Sequence, residues 1–170
     1  AAVSLDSLDA DKHDRFRGLP QAFDMTITGI KNLQAAGIPV QINTTVMDWN
    51  VDEIEALCDY AIELGAVAYH VFFLVPTGRA INMEEEALRV QAYEKTIKRL
   101  MKKQQQVDVE IKPTCAPQFI RIAEMMGMKL RFTRGCLAGI NYCIISPRGD
   151  VQPCAYLDIP LGNVRDQAFD

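Results

Sequence analysis

Four of the five cysteines in the chain, Cys115, Cys136, Cys143 and Cys154, fall in its last third, each beside residues that turn the backbone. Thiols presented from turns are how metal ligands are offered, and this stretch reads as an iron–sulfur site. The spacing, C-x20-C-x6-C-x10-C, is long and uneven, with Pro113, Pro117, Gly135, Gly139, Pro147, Gly149 and Pro153 punctuating it. Structural zinc sites usually pair cysteines about two to four residues apart, a pattern missing here, whereas iron–sulfur clusters tolerate irregular spacing. On spacing alone, zinc and ordinary buried or redox cysteines remain open. Register counting across Cys143–Cys154, with a four-residue turn at Pro147–Asp150, sets Cys143 opposite Cys154 in a hairpin, where Cβ atoms lie about 5 Å apart. That distance suits two ligands of one centre and would also suit a disulfide. Cys58 lies in the helical run Val51, Ile54, Leu57, Cys58, Ala61, Leu64 and reads as a small core residue.

Context separates metal from disulfide. No run approaches the ~20 apolar residues of a membrane span, no signal-like segment opens the chain, and the strand–helix alternation is that of a cytosolic enzyme. A reducing cytoplasm is therefore the expected compartment, and it favours metal. With 170 residues, 49% apolar and 24% charged, the chain can bury a real core. Its net charge of −4 argues against a general nucleic-acid binder, which needs a basic excess to neutralise phosphates. The basic run Lys95, Lys98, Arg99, Lys102, Lys103 reads as a solvated helix face.

The elements that must position these groups alternate with a period near thirty residues. Strands are expected around Val3 and over Ile38–Val46, Val67–Val75 and Val107–Lys112, with helices over Pro20–Ala36, Val51–Leu64 and Glu84–Gln106. Phe23, Ile27, Ile30 and Leu33 make one apolar stripe that Gly37 stops. Asn50 with Glu53 resembles a capping box, and Gly65 ends that helix. Val71-Phe72-Phe73-Leu74-Val75 is continuously apolar, as in a parallel strand covered on both faces. Repeated β/α units mean a parallel sheet, so the fold class is α/β: a barrel or an open doubly wound sheet. After Pro113 the pattern changes to loops, a short helix near Gln118–Met126 and the hairpin, which places a domain boundary there: residues 1–112 and 113–170. Ala1 opens inside a strand pattern without an initiating Met, and Asp170 stops without a structural terminus. A stretch of a longer protein is expected.

In α/β folds the strand ends carry ligand chemistry. Here they read Val3-Ser4-Leu5-Asp6, Gln41-Ile42-Asn43-Thr44-Thr45-Val46 and Phe72-Phe73-Leu74-Val75-Pro76-Thr77-Gly78-Arg79, with hydroxyls, an amide and a carboxylate as handles for a nucleoside. Together with the cysteine-bearing tail, they resemble the radical S-adenosylmethionine (SAM) enzymes that carry an auxiliary-cluster domain of the SPASM or twitch type. The resemblance covers nearly the whole chain, and the family's Ser-Leu-Asp, His-Asp and Arg match Ser4, Leu5, Asp6, His13, Asp14 and Arg17. The haem-pathway branch, which trims side chains of sirohaem-derived tetrapyrroles toward haem or d-type haem, is the nearer likeness. Its marks are the string His70 to Arg79, Arg134-Gly135-Cys136-Leu137-Ala138-Gly139, and Pro153-Cys154-Ala155-Tyr156-Leu157 with Gly162-Asn163-Val164-Arg165.

The resemblance implies the fourth to sixth strands of a partial (β/α)6 barrel, followed by a SPASM/twitch domain. It implies an auxiliary 4Fe–4S cluster on Cys115, Cys136, Cys143 and Cys154, and SAM bound by Ser4, Asp6, Arg17, Asn43, Leu74 and Val75. A tetrapyrrole is the implied substrate, losing acetate or propionate arms, and a reductase, flavodoxin or ferredoxin the implied electron donor. The family's C-x3-C-x2-C, which carries the second 4Fe–4S cluster, and its glycine-rich second-strand motif are missing from these residues, so the stretch alone is not expected to cleave SAM. A SPASM-type peptide-maturing enzyme and a non-catalytic zinc or electron-relay module are the alternatives. Among single residues, His13 reads as a surface residue of a polar loop and His70 as a core histidine or a substrate contact. Arg79 reads equally as a carboxylate fork or a solvent-facing cation, and Met125, Met126 and Met128 as soft core packing.

Overall fold

A computed structural model describes residues 1–130 and 134–169; Asp170, where the chain stops, lies outside them. Four parallel strands, β1 (Ala2–Ser4), β2 (Gln41–Val46), β3 (Ala68–Phe73) and β4 (Glu110–Thr114), lie in sequence order in one sheet. Between them run α1 (Ala10–Arg17), α2 (Ala22–Ala35), α3 (Ile54–Glu63) and α4 (Val90–Gln104), and α5 (Phe119–Met125) follows β4. Two single-turn helices, Gly78–Ala80 and Glu84–Glu86, occupy the long connection from β3 to α4. A small antiparallel sheet, β5 (Ile144–Ile145), β6 (Asp150–Gln152) and β7 (Gly162–Asn163), ends the described chain.

Side chains alternate across the large sheet, and the alternation sorts them by polarity. Ile42 and Val46, Tyr69, Val71 and Phe73, and Ile111 are buried on one face. Leu57, Cys58 and Ala61 of α3 and Ile97, Leu100 and Met101 of α4 join them in one core. The opposite face carries Ser4, Asn43, His70 and Lys112 in register across all four strands. The apolar run of β3 is thus not covered on both faces: His70 and Phe72 are only half-buried. Burial pushes the Cys58 thiol up to about 11, as expected of an inert core cysteine.

The sheet continues through Thr114, one residue past the boundary expected at Pro113, and Phe119, Ile122 and Ala123 of α5 pack into the same core. Met126 and Met128 lie against that core, whereas Met125 is exposed. The Asn50–Glu53 capping box does not form. Asn50 donates instead to the carbonyls of Asp6 (2.8 Å) and Thr45 (2.9 Å), and Glu53 accepts from the Ser7 hydroxyl (2.6 Å) and the Leu8 amide (3.0 Å). Both tie α3 to the loop after β1.

The C-terminal hairpin differs from expectation by one register step. Ile145 pairs with Val151 and Ile144 with Gln152, so the residue facing Cys143 is Pro153, not Cys154. Gly149 takes a φ of +95°, a conformation glycine reaches freely, which closes the loop in three residues and returns Asp150 to β6.

Candidate functional site

The element missed by periodicity builds the first half of the site. Residues Ala10–Arg17 have no apolar stripe, and only His13 is buried, yet the segment is helical because its ends are well capped. Asp9 accepts from the Lys12 amide (3.1 Å), Asp11 sits in the first turn, Arg15 and Arg17 in the last, and Gly18 terminates in the left-handed region. The expectation of a surface histidine fails for the same reason: α1 turns His13 inward, edge-on to Phe23 at 5.9 Å.

Asp6, just past β1, organises the polar centre under this helix. Its carboxylate accepts from the Thr45 amide (2.9 Å) and from Arg17 Nε (2.7 Å), with Arg17 Nη2 closing a second contact. Its own amide donates to His13 Nδ1 at 3.2 Å, which assigns the ring proton to Nε2. Among the described residues that Nε2 has no hydrogen-bond partner. Burial lowers the His13 pKa below its ordinary value, so the ring is neutral. Burial raises that of Asp6, against the opposing pull of Arg17.

Arg17, Leu74 and Val75 line a cleft of about 990 Å³ at the ends of β2 and β3. Asp6 is buried beneath it, and Ser4 and Asn43 stand side by side on adjacent strands, Asn43 accepting from the Gln41 amide at 2.7 Å. Residues not singled out in the sequence complete the cleft, Lys12, Arg15 and Phe16 of α1 and Trp49 after β2, together with Tyr156, quoted there only within a family string. Phe16 and Trp49 meet at a tilt of 55° with centroids 5.6 Å apart. For Lys12, Arg15 and Phe16 the signal that could have found them is the capped α1, which brings every third or fourth residue to one side. His70 is half-buried on the polar face of the sheet and pairs with Glu110 (3.0 Å), so of its two expected roles it does not take the core one.

The second half of the site is the set of thiols, all free. Cys115 sits between β4 and α5 at a φ of +58°, a strained value for a non-glycine residue. Its thiol is pushed up, chiefly by burial; the Tyr156 hydroxyl donates to it, and the thiols of Cys154 and Cys136 face it. Tyr156 in turn is pushed up to about 12 by burial and by Cys115. Gly135 packs directly on the backbone of Pro117, where any Cβ would overlap it, and so brings Cys136 to the side of the fold that holds Cys115. Cys136 also accepts from the Ala138 amide at 3.5 Å. Cys143 is exposed just before β5 and is not among the groups acting on Cys115.

Among the described residues no three Cys, His, Asp or Glu stand close enough to hold a single metal ion. A cluster of four irons holds its thiolates further apart than one ion does. A set of thiols alone, two of them acting on Cys115 and that one backed by a hydroxyl donor, fits such a cluster in chemistry.

Residues 136–170 match the SPASM family, described as an iron–sulfur cluster-binding domain. The chain is 42% identical over 180 residues to the AdoMet-dependent heme synthase of Methanosarcina barkeri, covering 99% of this chain and 51% of that protein. To the AdoMet-dependent heme synthase of Oleidesulfovibrio alaskensis it is 39% identical, covering 99% and 46%. The chain thus spans about half the length of these curated relatives. Among solved structures, Streptococcus suis SuiB bound to precursor peptide SuiA superposes with a TM-score of 0.72 at 15% identity, over 98% of this chain and 40% of SuiB. That likeness establishes the fold: a partial β/α barrel followed by a small cysteine-bearing domain.

Proposed function

We propose that this chain, which belongs to the radical SAM proteins with a SPASM iron–sulfur domain, is part of an enzyme that removes acetate or propionate carbons from a sirohaem-derived tetrapyrrole on the way to haem or d-type haem. The observation that carries the reading is the cleft. It faces the C-terminal domain through Tyr156 and combines aromatic walls with the cations of Lys12, Arg15, Arg17 and Arg79. A flat apolar macrocycle with carboxylate arms needs both. The high identity to haem synthases along nearly the whole chain supports the same substrate class.

In this reading Cys115, Cys136, Cys143 and Cys154 hold the auxiliary 4Fe–4S cluster. Ser4, Asp6, Arg17, Asn43, Leu74 and Val75 form the SAM site. When bound, SAM supplies the hydrogen-abstracting radical that this chain's own side chains cannot. The chain's contribution is positional. Asp6 fixes the Arg17 guanidinium, His13 holds the Asp6 amide, and the aromatic walls exclude water from the cleft. The Tyr156 hydroxyl bridges the cleft wall to Cys115. A flavodoxin, ferredoxin or reductase supplies electrons, and the cytoplasm is the working compartment; no described helix is long and apolar enough to cross a membrane.

Product analysis tests the reading. The complete polypeptide, reconstituted anaerobically with SAM, a reductant and an iron tetrapyrrole, should release carbon dioxide and a tetrapyrrole shortened at its side chains. Turnover of a precursor peptide with no tetrapyrrole product would replace it with the peptide-maturing alternative.

A further inference from the structure

Within the cleft the cations are not equivalent. Lys12 is committed to Glu53 at 2.9 Å, and Arg17 is held by buried Asp6. Among the described residues, Arg15 and Arg79 form no ion pair and no side-chain hydrogen bond, although both line the cleft and both are exposed. They come from different walls: Arg15 from the last turn of α1, Arg79 from the single-turn helix after β3. Among the described residues, Glu86 is the one carboxylate on the cleft lining, set against four cations.

We propose that Arg15 and Arg79 form a two-point carboxylate clamp that fixes the orientation of the macrocycle in the cleft. This rests on the tetrapyrrole reading above. A guanidinium presents a planar fork that meets a carboxylate with two parallel hydrogen bonds, which an ammonium does not. Two such forks, carried by different elements of the lining, hold two arms of one ring, and the ring's flat body lies against Phe16, Trp49, Phe72 and Tyr156. Holding two arms selects which remaining arm is presented for reaction, so the clamp sets regiospecificity as well as affinity.

The test is an absorbance titration of the cluster-reconstituted protein with coproporphyrin III, which carries carboxylate arms, and with its methyl ester, which keeps the ring and masks the arms. Arg15→Gln and Arg79→Gln should each weaken coproporphyrin binding about tenfold, the worth of a charge-assisted hydrogen-bond pair, and leave ester binding unchanged. Arg→Lys at either position should recover only part of the loss. Wild-type binding of coproporphyrin with no change in either Gln variant would overturn the clamp and leave the substrate reading standing. Equal losses for acid and ester would also overturn it, by showing a packing role. Failure of the wild type to bind either porphyrin would remove the substrate reading and the clamp together.

Discussion

The sheet region and the cysteine-bearing region of this chain are held together by different physics. From Leu5 to Ala123 a continuous core is buried against four strands, with Tyr69, Leu57, Ile97 and Leu100 fully inside. From residue 134 to 169, no apolar side chain is buried. There, Ile140, Ile145, Leu161 and Phe169 are exposed, and the small sheet is pinned by polar contacts instead. The Asp150 carboxylate accepts from Ser146 (3.0 Å) and from Asn163 (3.0 Å), and Asn163 also donates to the Arg148 carbonyl (3.2 Å). Below about 40 residues, a segment without a core needs disulfides, a metal or a partner to stay folded. The cysteines here are free. If the four thiols hold the proposed cluster, they are structural as well as electronic: the cluster would do for this region what Leu57 and Ile97 do for the other.

The contrast is broken most severely by removing the cluster. Chelation of iron from the reconstituted protein should expose amides of residues 134–169 to hydrogen exchange and leave β2 and β3 protected. Gly135→Ala should do the same without chelator, because the added Cβ overlaps the Pro117 backbone and separates Cys136 from Cys115. Next in size, Leu57→Ala should destabilise the sheet region by about 3 kcal/mol in denaturant titrations, with iron content unchanged in the folded protein.

Tyr156→Phe acts where the two regions meet. It removes the hydroxyl that donates to Cys115 and should lower the cluster's reduction potential by the equivalent of about 1 kcal/mol, read by redox titration, with the cluster retained. The smallest effect is a pH dependence confined to the sheet region. His13 has its pKa lowered from 6.5 by burial, so the unfolded state binds the proton more readily. The stability it contributes is present above about pH 6.5 and is lost as pH falls toward the folded value. Asp6, raised from 3.8 by burial, contributes a slope of opposite sign at lower pH, and Arg17 and Asp14 face the ring as constant and acidic neighbours. His13→Gln should flatten stability between pH 6.5 and the acid limit, and an unchanged profile would remove this account of the buried ring.

The same two regions differ in how far the sequence discloses them. The β/α alternation was legible because apolar periodicity is written wherever a face is buried: Phe23, Ile27, Ile30 and Leu33 packed as their spacing predicts. α1 was not, since it buries one polar side chain and is specified by caps rather than by an apolar stripe. Missing it misplaced His13 and concealed Arg15 and Phe16 in the cleft. In the C-terminal region the cysteines pointed to a metal site, but register could not be read from so few apolar residues. A single left-handed glycine, Gly149, moved Cys143 off its expected partner. Tyr156, two positions after Cys154, is in the sequence as a neighbour of a ligand; only the fold shows that it reaches both Cys115 and the cleft.

The central claim is that four thiols hold an iron–sulfur cluster which substitutes for a core. Iron, acid-labile sulfide and zinc per chain after anaerobic reconstitution, measured for the wild type and for Ala variants of Cys58, Cys115, Cys136, Cys143 and Cys154, test it most directly. The account predicts about four irons with matching sulfide, lost or destabilised in every variant except Cys58→Ala. One tightly held zinc without sulfide would contradict it and leave a structural zinc module in place of the cluster.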